Sequence, residues 1–331
     1  MKQRFFTVND NGCSSAPRPQ MSGISQGCTL SPLLFVLLMT VLLHDAVAML
    51  PEDARREYKD GVISDCVYAD DTLLIGTSDE YLNSFLLAVA TAGRRYGCEL
   101  HWQKFQVLAV GSSGKILSPA GEPLKHVKYL EYLGACLTAD GDMSHELGRK
   151  IGEAKRTFTS LRRLWSHSAL TWRRKLNIYA AVVESKLLYG LSSACFTKAQ
   201  LRRLDGFQNR CVRQIIGVKT AYISRVSNRT VLEKADHAAA STKLLFKQLQ
   251  LFGKVIRCSS DHPMRTCTFS PGLSFLQPLA DKYVRRVGAP HKEFARDMLN
   301  HSVRIFGSWD RVAATAQSPA VWDKLLREAV F

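Results

Sequence analysis

The residues from Val62 to Gly76, VISDCVYADDTLLIG, constrain this chain more than any others. Apolar and β-branched side chains lie on both sides of one acidic pair, Asp70 and Asp71, the pattern of two strands joined by a tight turn with carboxylates at its tip. Two charges between greasy strands need a cause. Adjacent carboxylates repel, and one pKa rises unless a cation or hydrogen bonds offset the repulsion, so a hard, oxygen-bound divalent ion such as Mg²⁺ is the simplest physical explanation. An ordinary hairpin turn, where aspartate is common, accounts for the same pair without any ion. Asp65 cannot join the pair, because on an extended strand it points to the opposite face and lies roughly 16 Å from Asp70 at about 3.3 Å per residue.

What surrounds the pair narrows the choice. Upstream runs Gly23 to Phe35, GISQGCTLSPLLF; downstream come a helical segment, a lysine in CELHWQKF, and YLEYLGACL. With Gly-x-x-Gln-Gly, Leu-Ser-Pro-x-Leu-Phe, Tyr68-Ala69-Asp70-Asp71, Lys104 and Tyr132-Leu133-Gly134 in this order, the chain resembles the reverse transcriptases, and among them those of non-LTR (LINE-type) retrotransposons. The similarity covers residues 1 to 220 clearly, and the tail more loosely through Arg286 to Pro290 and the later tryptophans. The Gln-Gly-x-x-Leu-Ser-Pro signature argues against another palm enzyme, such as a viral RNA polymerase or a nucleotide cyclase.

The resemblance implies an RNA-directed DNA polymerase, a nucleotidyltransferase that works by two-metal phosphoryl transfer with Mg²⁺ (or Mn²⁺). Its partners would be an RNA template and DNA primer, or an RNA–DNA hybrid, and a dNTP. Asp70 and Asp71 would be the catalytic metal ligands and Tyr68 would lie beside the primer end. Gln26 and Gly27 would sit where template and incoming nucleotide pack, Lys104 near the triphosphate, and Tyr132, Leu133 and Gly134 in the primer grip. One departure is serious. The family's further carboxylate comes from a strand some dozens of residues before the Gln-Gly motif, and only Met1 to Ser22 stand there in this sequence. Asp10 falls in a turn sequence, Asn9-Asp10-Asn11-Gly12. The fingers subdomain is missing too, so the expectation is a fragment or degenerate copy, inactive alone. The alternative is a non-catalytic RNA/DNA-binding module derived from a reverse transcriptase.

Charge supports a polyanionic partner. The 331 residues carry a net charge of +16, and 46% hydrophobic residues suffice for sizeable cores. Between Arg149 and Arg257 there are 23 Lys and Arg against 5 acids, a surplus of 18, while the remaining residues sum to −2. Leu147, Ile151, Ala154, Phe158, Leu161 and Trp165 step by four and three as a helical seam, with Arg149, Lys150, Lys155, Arg156, Arg162 and Arg163 largely off it. Thr171 starts a second helix carrying Arg173 and Arg174; Thr197 with Gln200 boxes a third, with Arg202, Arg203, Arg210 and Arg213 outward. A charge run also describes any solvated face, but a surplus this concentrated points to phosphate contacts along a duplex.

The expected fold is α+β: a partial polymerase palm, helices on an antiparallel sheet with the YADD hairpin, over residues 1–140, followed by an all-α thumb-like bundle over 141–220 and a helical extension over 221–331. Ser31 is expected to cap a helix to about Met49 whose apolar sides are all buried, and Thr77 with Glu80 to box the next. Gly217 to Asp236 reads as a linker. The last fifty residues predict two helices, around 293–306 and 320–330, with Trp309 and Trp322 as core anchors. The apolar run Leu33 to Leu43 is short for a membrane span, so no membrane partner is expected. Nine cysteines without a CxxC pair suggest reduced thiols in nucleus or cytoplasm, and Cys258, His262, Cys267 and His291 do not match a zinc spacing.

Overall fold

A computed structural model describes residues 5–19, 23, 27–112, 114–269 and 293–331, and the chain divides into two compact units, 1–133 and 134–331. Gln26, the Arg286 to Pro290 motif and His291 lie outside the described residues.

The first unit opens with β1 (Phe5–Phe6), β2 (Asn9–Asp10), β3 (Cys13–Ser14) and β4 (Arg18–Pro19), nested as antiparallel pairs of β1 with β4 and β2 with β3. Asn11 and Gly12, both at positive φ (46° and 83°), make the inner turn, a favoured Asn-Gly hairpin connection. Asp10 is the last residue of β2 rather than a central turn residue.

Next come α1 (Ser31–Ala48), α2 (Glu52–Lys59), β5 (Ser64–Tyr68), β6 (Asp71–Ile75) and α3 (Asp79–Arg95). Leu30 rather than Ser31 occupies the cap position of α1 and offers no side-chain bond; α3 is capped by Ser78, whose hydroxyl accepts from the Tyr81 amide, not by Thr77. The core joins Leu42, Leu43, Ala46 and Leu50 to Ile63 and to Phe85, Ala88, Val89 and Ala92 of α3. That packing uses one side of α1. Leu33, Leu34, Val36, Leu37 and Val41 remain 44–56 % exposed, so the expectation of burial all round does not hold. The helix is longer than its most apolar run and is, by length and composition, apolar enough to cross a membrane. A 3₁₀ turn at Trp102–Lys104 leads to β7 (Gln106–Val107), which pairs in parallel with β8 (Lys125–His126); β9 (Tyr129–Tyr132) closes the unit.

The second unit is helical after β10 (Ala135–Thr138). Its first part contains α4 (Ser144–Ser160), α5 (Arg162–Ser166), α6 (Trp172–Ile178), a π-helical stretch at Tyr179–Glu184, α7 (Ser185–Leu188), α8 (Lys198–Ile216), α9 (Ala221–Ser224) and α10 (Asn228–Ala235). Thr171 caps α6, and Thr197 with Gln200 forms a complete capping box on α8. Leu147, Ala154, Phe158 and Trp165 of the seam are buried with Leu176, Val183, Leu187, Leu204, Phe207 and Val212. Val231, Ala235 and Leu244 belong to the same core, so the stretch read as a linker holds two helices, of which α10 packs into the core, and this core runs past residue 220.

Then follow α11 (Ala240–Arg257), α12 (Pro263–Thr266), α13 (Phe294–Phe306), α14 (Trp309–Ala316) and α15 (Pro319–Val330) around a second core. Trp322 is its centre. The ring stacks on Phe306 at 4.6 Å, Nε1 donates to the Leu249 carbonyl at 3.1 Å, and a Cβ on Gly253 would collide with Nε1. Trp309 is no anchor, being 45 % exposed at the start of α14, a helix the sequence pattern did not announce.

Candidate active site and nucleic-acid face

β5 and β6 pair in antiparallel register from Ser64 with Ile75 to Tyr68 with Asp71, which leaves Ala69 and Asp70 as a two-residue turn. Ala69 takes φ 55°, the positive value that tight hairpin turns need at their first central residue, at a cost of about 1–2 kcal/mol for a residue with a Cβ. Directly paired residues share a face, so Cys66, Tyr68, Asp71 and Leu73 are on one side of the ribbon and Asp65, Val67, Thr72 and Leu74 on the other. Asp70 and Asp71 are exposed, as is Tyr68, at 67 %.

The opposite face is committed elsewhere. Asp65 accepts a hydrogen bond from the Tyr58 hydroxyl at 2.6 Å, and burial followed by that bond pushes the phenol up to about 12. A hollow of about 530 Å³ on this side, between α1 and β5, is lined by Val36, Met39, Leu43, Tyr58, Asp65 and Val67. Its mostly apolar wall does not suit a polyanion.

On the solvent side the Tyr132 hydroxyl donates to the Cys66 carbonyl at 2.8 Å. Burial, then the charges of Cys66 and Asp71, raise the Tyr132 pKa, which places this phenol in the field of the acidic tip. Tyr132 is followed by Leu133 and Gly134 at φ 50° and 72°, a turn with both residues left-handed. Lys104 ends the 3₁₀ turn, exposed. Gly27 sits at φ 85° in open space, so its backbone, not crowding, calls for glycine.

The donor chemistry of Asp70 and Asp71 fits a hard cation: two neighbouring carboxylates on an exposed tip. Among the described residues no group of three or more His, Cys, Asp or Glu is gathered. Two carboxylates alone make a partial site, because Mg²⁺ prefers about six oxygens.

The basic residues of the second unit divide by role. Lys150 is buried: its ammonium donates to the Gly134 carbonyl at 2.7 Å, lies 3.7 Å from Glu146, and faces the Tyr189 ring at 4.9 Å. Arg149 donates to the same carbonyl at 2.7 Å and pairs with Glu146 and Glu153 at 2.8 Å. Both were expected on the outer face; instead they fasten α4 to the Gly134 carbonyl. Lys155, Arg156, Arg162, Arg163, Arg173, Arg174, Arg202 and Arg203 are exposed. Sequence reasoning passed over two internal groups, Lys175 and Glu184, and placed a third, Arg213, on the outer face, where it is not. Lys175 is buried and donates to the Trp165 carbonyl at 2.7 Å; Arg213 is buried under the loop that follows α8. Glu184, in the π-helical stretch, accepts from Lys243 Nζ at 2.6 Å and Gln208 Nε2 at 2.9 Å, with His237 Nε2 at 3.2 Å. No periodic pattern marks these residues, since each partner lies beyond the helix that carries it, and those of Glu184 are 24 to 59 residues away.

Residues 1–137 match the family model described as "Reverse transcriptase (RNA-dependent DNA polymerase)". The chain is 27 % identical over 232 residues to the RNA-directed DNA polymerase from mobile element jockey of Drosophila melanogaster, covering 66 % of this chain and 24 % of that protein. It is 28 % identical over 199 residues to the retrovirus-related Pol polyprotein from type-1 retrotransposable element R2 of Popillia japonica, covering 59 % of this chain and 27 % of that protein. The matched regions thus span about a quarter of these relatives.

Proposed function

Residues 1–137 belong to the reverse transcriptase family, in the form found in non-LTR retrotransposons, and on that premise we propose that Asp70 and Asp71 are the metal-holding carboxylates of an RNA-directed DNA polymerase region. The observation that carries this reading is the tip of the β5–β6 ribbon, with Asp70 in a two-residue turn and Asp71 on the exposed face beside Tyr68. In this reading the first unit is part of a palm and the first core of the second unit is its thumb.

The chemistry that bound divalent ions supply in this family is neutralisation of charge at the attacking and leaving oxygens of phosphoryl transfer from a dNTP to a primer 3′-hydroxyl. Asp70 and Asp71 would hold such a cation through their carboxylate oxygens. Tyr68 presents its ring beside the primer terminus, Lys104 meets the triphosphate, and the exposed cations of α4, α5, α6 and α8 meet the phosphates of an RNA–DNA hybrid or a template–primer. Two carboxylates leave most of an octahedral shell unfilled, so we propose that these 331 residues bind template–primer without extending it.

Primer extension with Mg²⁺ and dNTPs tests the last point. The expected result is no extension by the isolated chain; turnover abolished by Asp70→Ala would overturn the inactivity and support the assignment of the site. The charge surplus between Arg149 and Arg257 favours a second reading, a non-catalytic RNA/DNA-binding module, in which metal and dNTP leave template–primer affinity unchanged. A flat response of affinity to salt between 50 and 200 mM contradicts both, because six to ten phosphate contacts cost about 10³ to 10⁵ over that range.

A further inference from the structure

The chain between α8 and α10 makes a loop held from beneath by one buried side chain. Arg213 donates from Nε and Nη2 to Asn228 Oδ1 at 3.0 and 2.9 Å, from Nη1 to the Lys219 carbonyl at 2.9 Å and Ser224 Oγ at 3.4 Å, and from Nη2 to the Val226 carbonyl at 2.7 Å. Val218 and Val226 pack against the first core on either side of the tip. The loop is therefore fixed at both ends and at its middle, and what it presents outward is presented in a set geometry.

What it presents is aromatic and cationic. Tyr222 is 81 % exposed and Ile223 62 %, the most exposed pair of large apolar neighbours in the second unit among the described residues. Arg225, at φ 55°, turns back so that its guanidinium carbon lies 5.3 Å from the centre of the Tyr222 ring. From Gly217 to Leu232 the sequence contains Lys219, Arg225 and Arg229 and no acid; of these, Arg229 is paired with Glu233 at 2.8 Å. Folding gains nothing from leaving a tyrosine in water over a five-bond support. A guanidinium on one side of an exposed ring, in a segment of uniformly positive charge, suits a flat, π-faced ligand flanked by negative charge.

We propose that the Tyr222 tip is a stacking platform for an unpaired base of single-stranded nucleic acid, with Lys219 and Arg225 meeting the adjacent phosphates. The proposal rests on the reading that the chain binds nucleic acid, but not on Asp70, Asp71 or any catalysis. It differs from the duplex face in needing a base that is not already stacked within a helix.

The test is fluorescence anisotropy of the full chain with labelled unstructured 15-nucleotide RNA and DNA strands and a duplex of equal length, at one salt concentration. Tyr222→Ala should weaken single-strand binding by about fivefold or more, in the RNA arm, the DNA arm or both, and leave the duplex Kd unchanged. Tyr222→Trp should bind single strands as well as or better than the parent. Because the side chain is exposed, an unaltered melting temperature for Tyr222→Ala checks that the fold is intact. A single-strand Kd within twofold of the parent overturns the platform while leaving nucleic-acid binding untouched, as does an equal loss on the duplex. No binding of any strand at low salt overturns both readings. Self-association abolished by Tyr222→Ala, with single-strand affinity unchanged, overturns the platform in favour of contact with a second copy of this chain.

Discussion

Tyr132 and Cys66 are joined by a hydrogen bond of 2.8 Å from the phenol to a strand carbonyl, which ties the residue before the Leu133–Gly134 turn to the strand that ends at the acidic tip. Tyr132→Phe removes the donor and keeps the ring. The expected cost is about 0.5–1.5 kcal/mol of unfolding free energy, read from the urea midpoint, since the freed carbonyl at this half-exposed site can turn to water.

The acidic tip should bind divalent cations weakly, near the millimolar range of poor oxygen sites. With a Kd of about 1 mM, 10 mM Mg²⁺ stabilises the native chain by about 1.4 kcal/mol through mass action. Thermal melts with and without Mg²⁺ measure this. The double variant Asp70→Asn, Asp71→Asn should lose the Mg²⁺-dependent increment, and retention of the full increment would place the cation elsewhere.

Buried and exposed cations should respond differently to removal. Arg202→Ala and Arg203→Ala should each lower the slope of log affinity against log salt by about 0.9 and leave the melting temperature nearly unchanged. Lys150→Ala should do the reverse. It strips the Gly134 carbonyl and Glu146 of a buried partner, at a cost of about 2–3 kcal/mol in stability, with the slope of the parent.

Glu184 sets an acid limit. Burial pushes its carboxyl up, but the hydrogen bond from His237 and the charge of Lys243 more than offset this and hold it below its ordinary 4.5. A carboxylate with a depressed folded-state pKa contributes stability that is present above its unfolded value and is lost as pH falls through the folded one. The stability read by chemical denaturation should therefore fall as pH drops below about 4.5, more steeply for the parent than for Glu184→Gln. At pH 7 the substitution should cost about 3 kcal/mol, because it leaves a lysine in a half-dry site without its counter-charge.

The elements that could be read from the chain are those whose cause is local. Runs of apolar and β-branched residues on both sides of Asp70–Asp71 mark a ribbon with its turn at the acids, and the steps of four and three from Leu147 to Trp165 mark the helical seam of α4 and α5, because each pattern has few low-energy ways to bury its apolar side. The Thr197–Gln200 box is legible for the same reason. What could not be read depends on distant partners. An all-round apolar α1 states a demand for cover but not what meets it, and α3 meets it on one side only. Lys150 looks like any surface lysine until the left-handed Gly134 aims a carbonyl at it from 16 residues away. Trp309 differs from Trp322 not in kind but in that Gly253 makes room for one of them. Of the candidate site, the tip was visible in the sequence and the Tyr132–Cys66 link was not, since 66 residues separate the two.

The unbroken helix from Ala240 to Arg257 places Leu244 in the first core and Phe246, Leu249, Phe252, Val255 and Ile256 in the second. One rod is the spine of both, and it has no break between them. Heat that melts either end of that spine takes support from the other, so residues 134–331 should lose structure in a single concerted transition, and a cut made anywhere along the rod would yield two halves that each lack a wall.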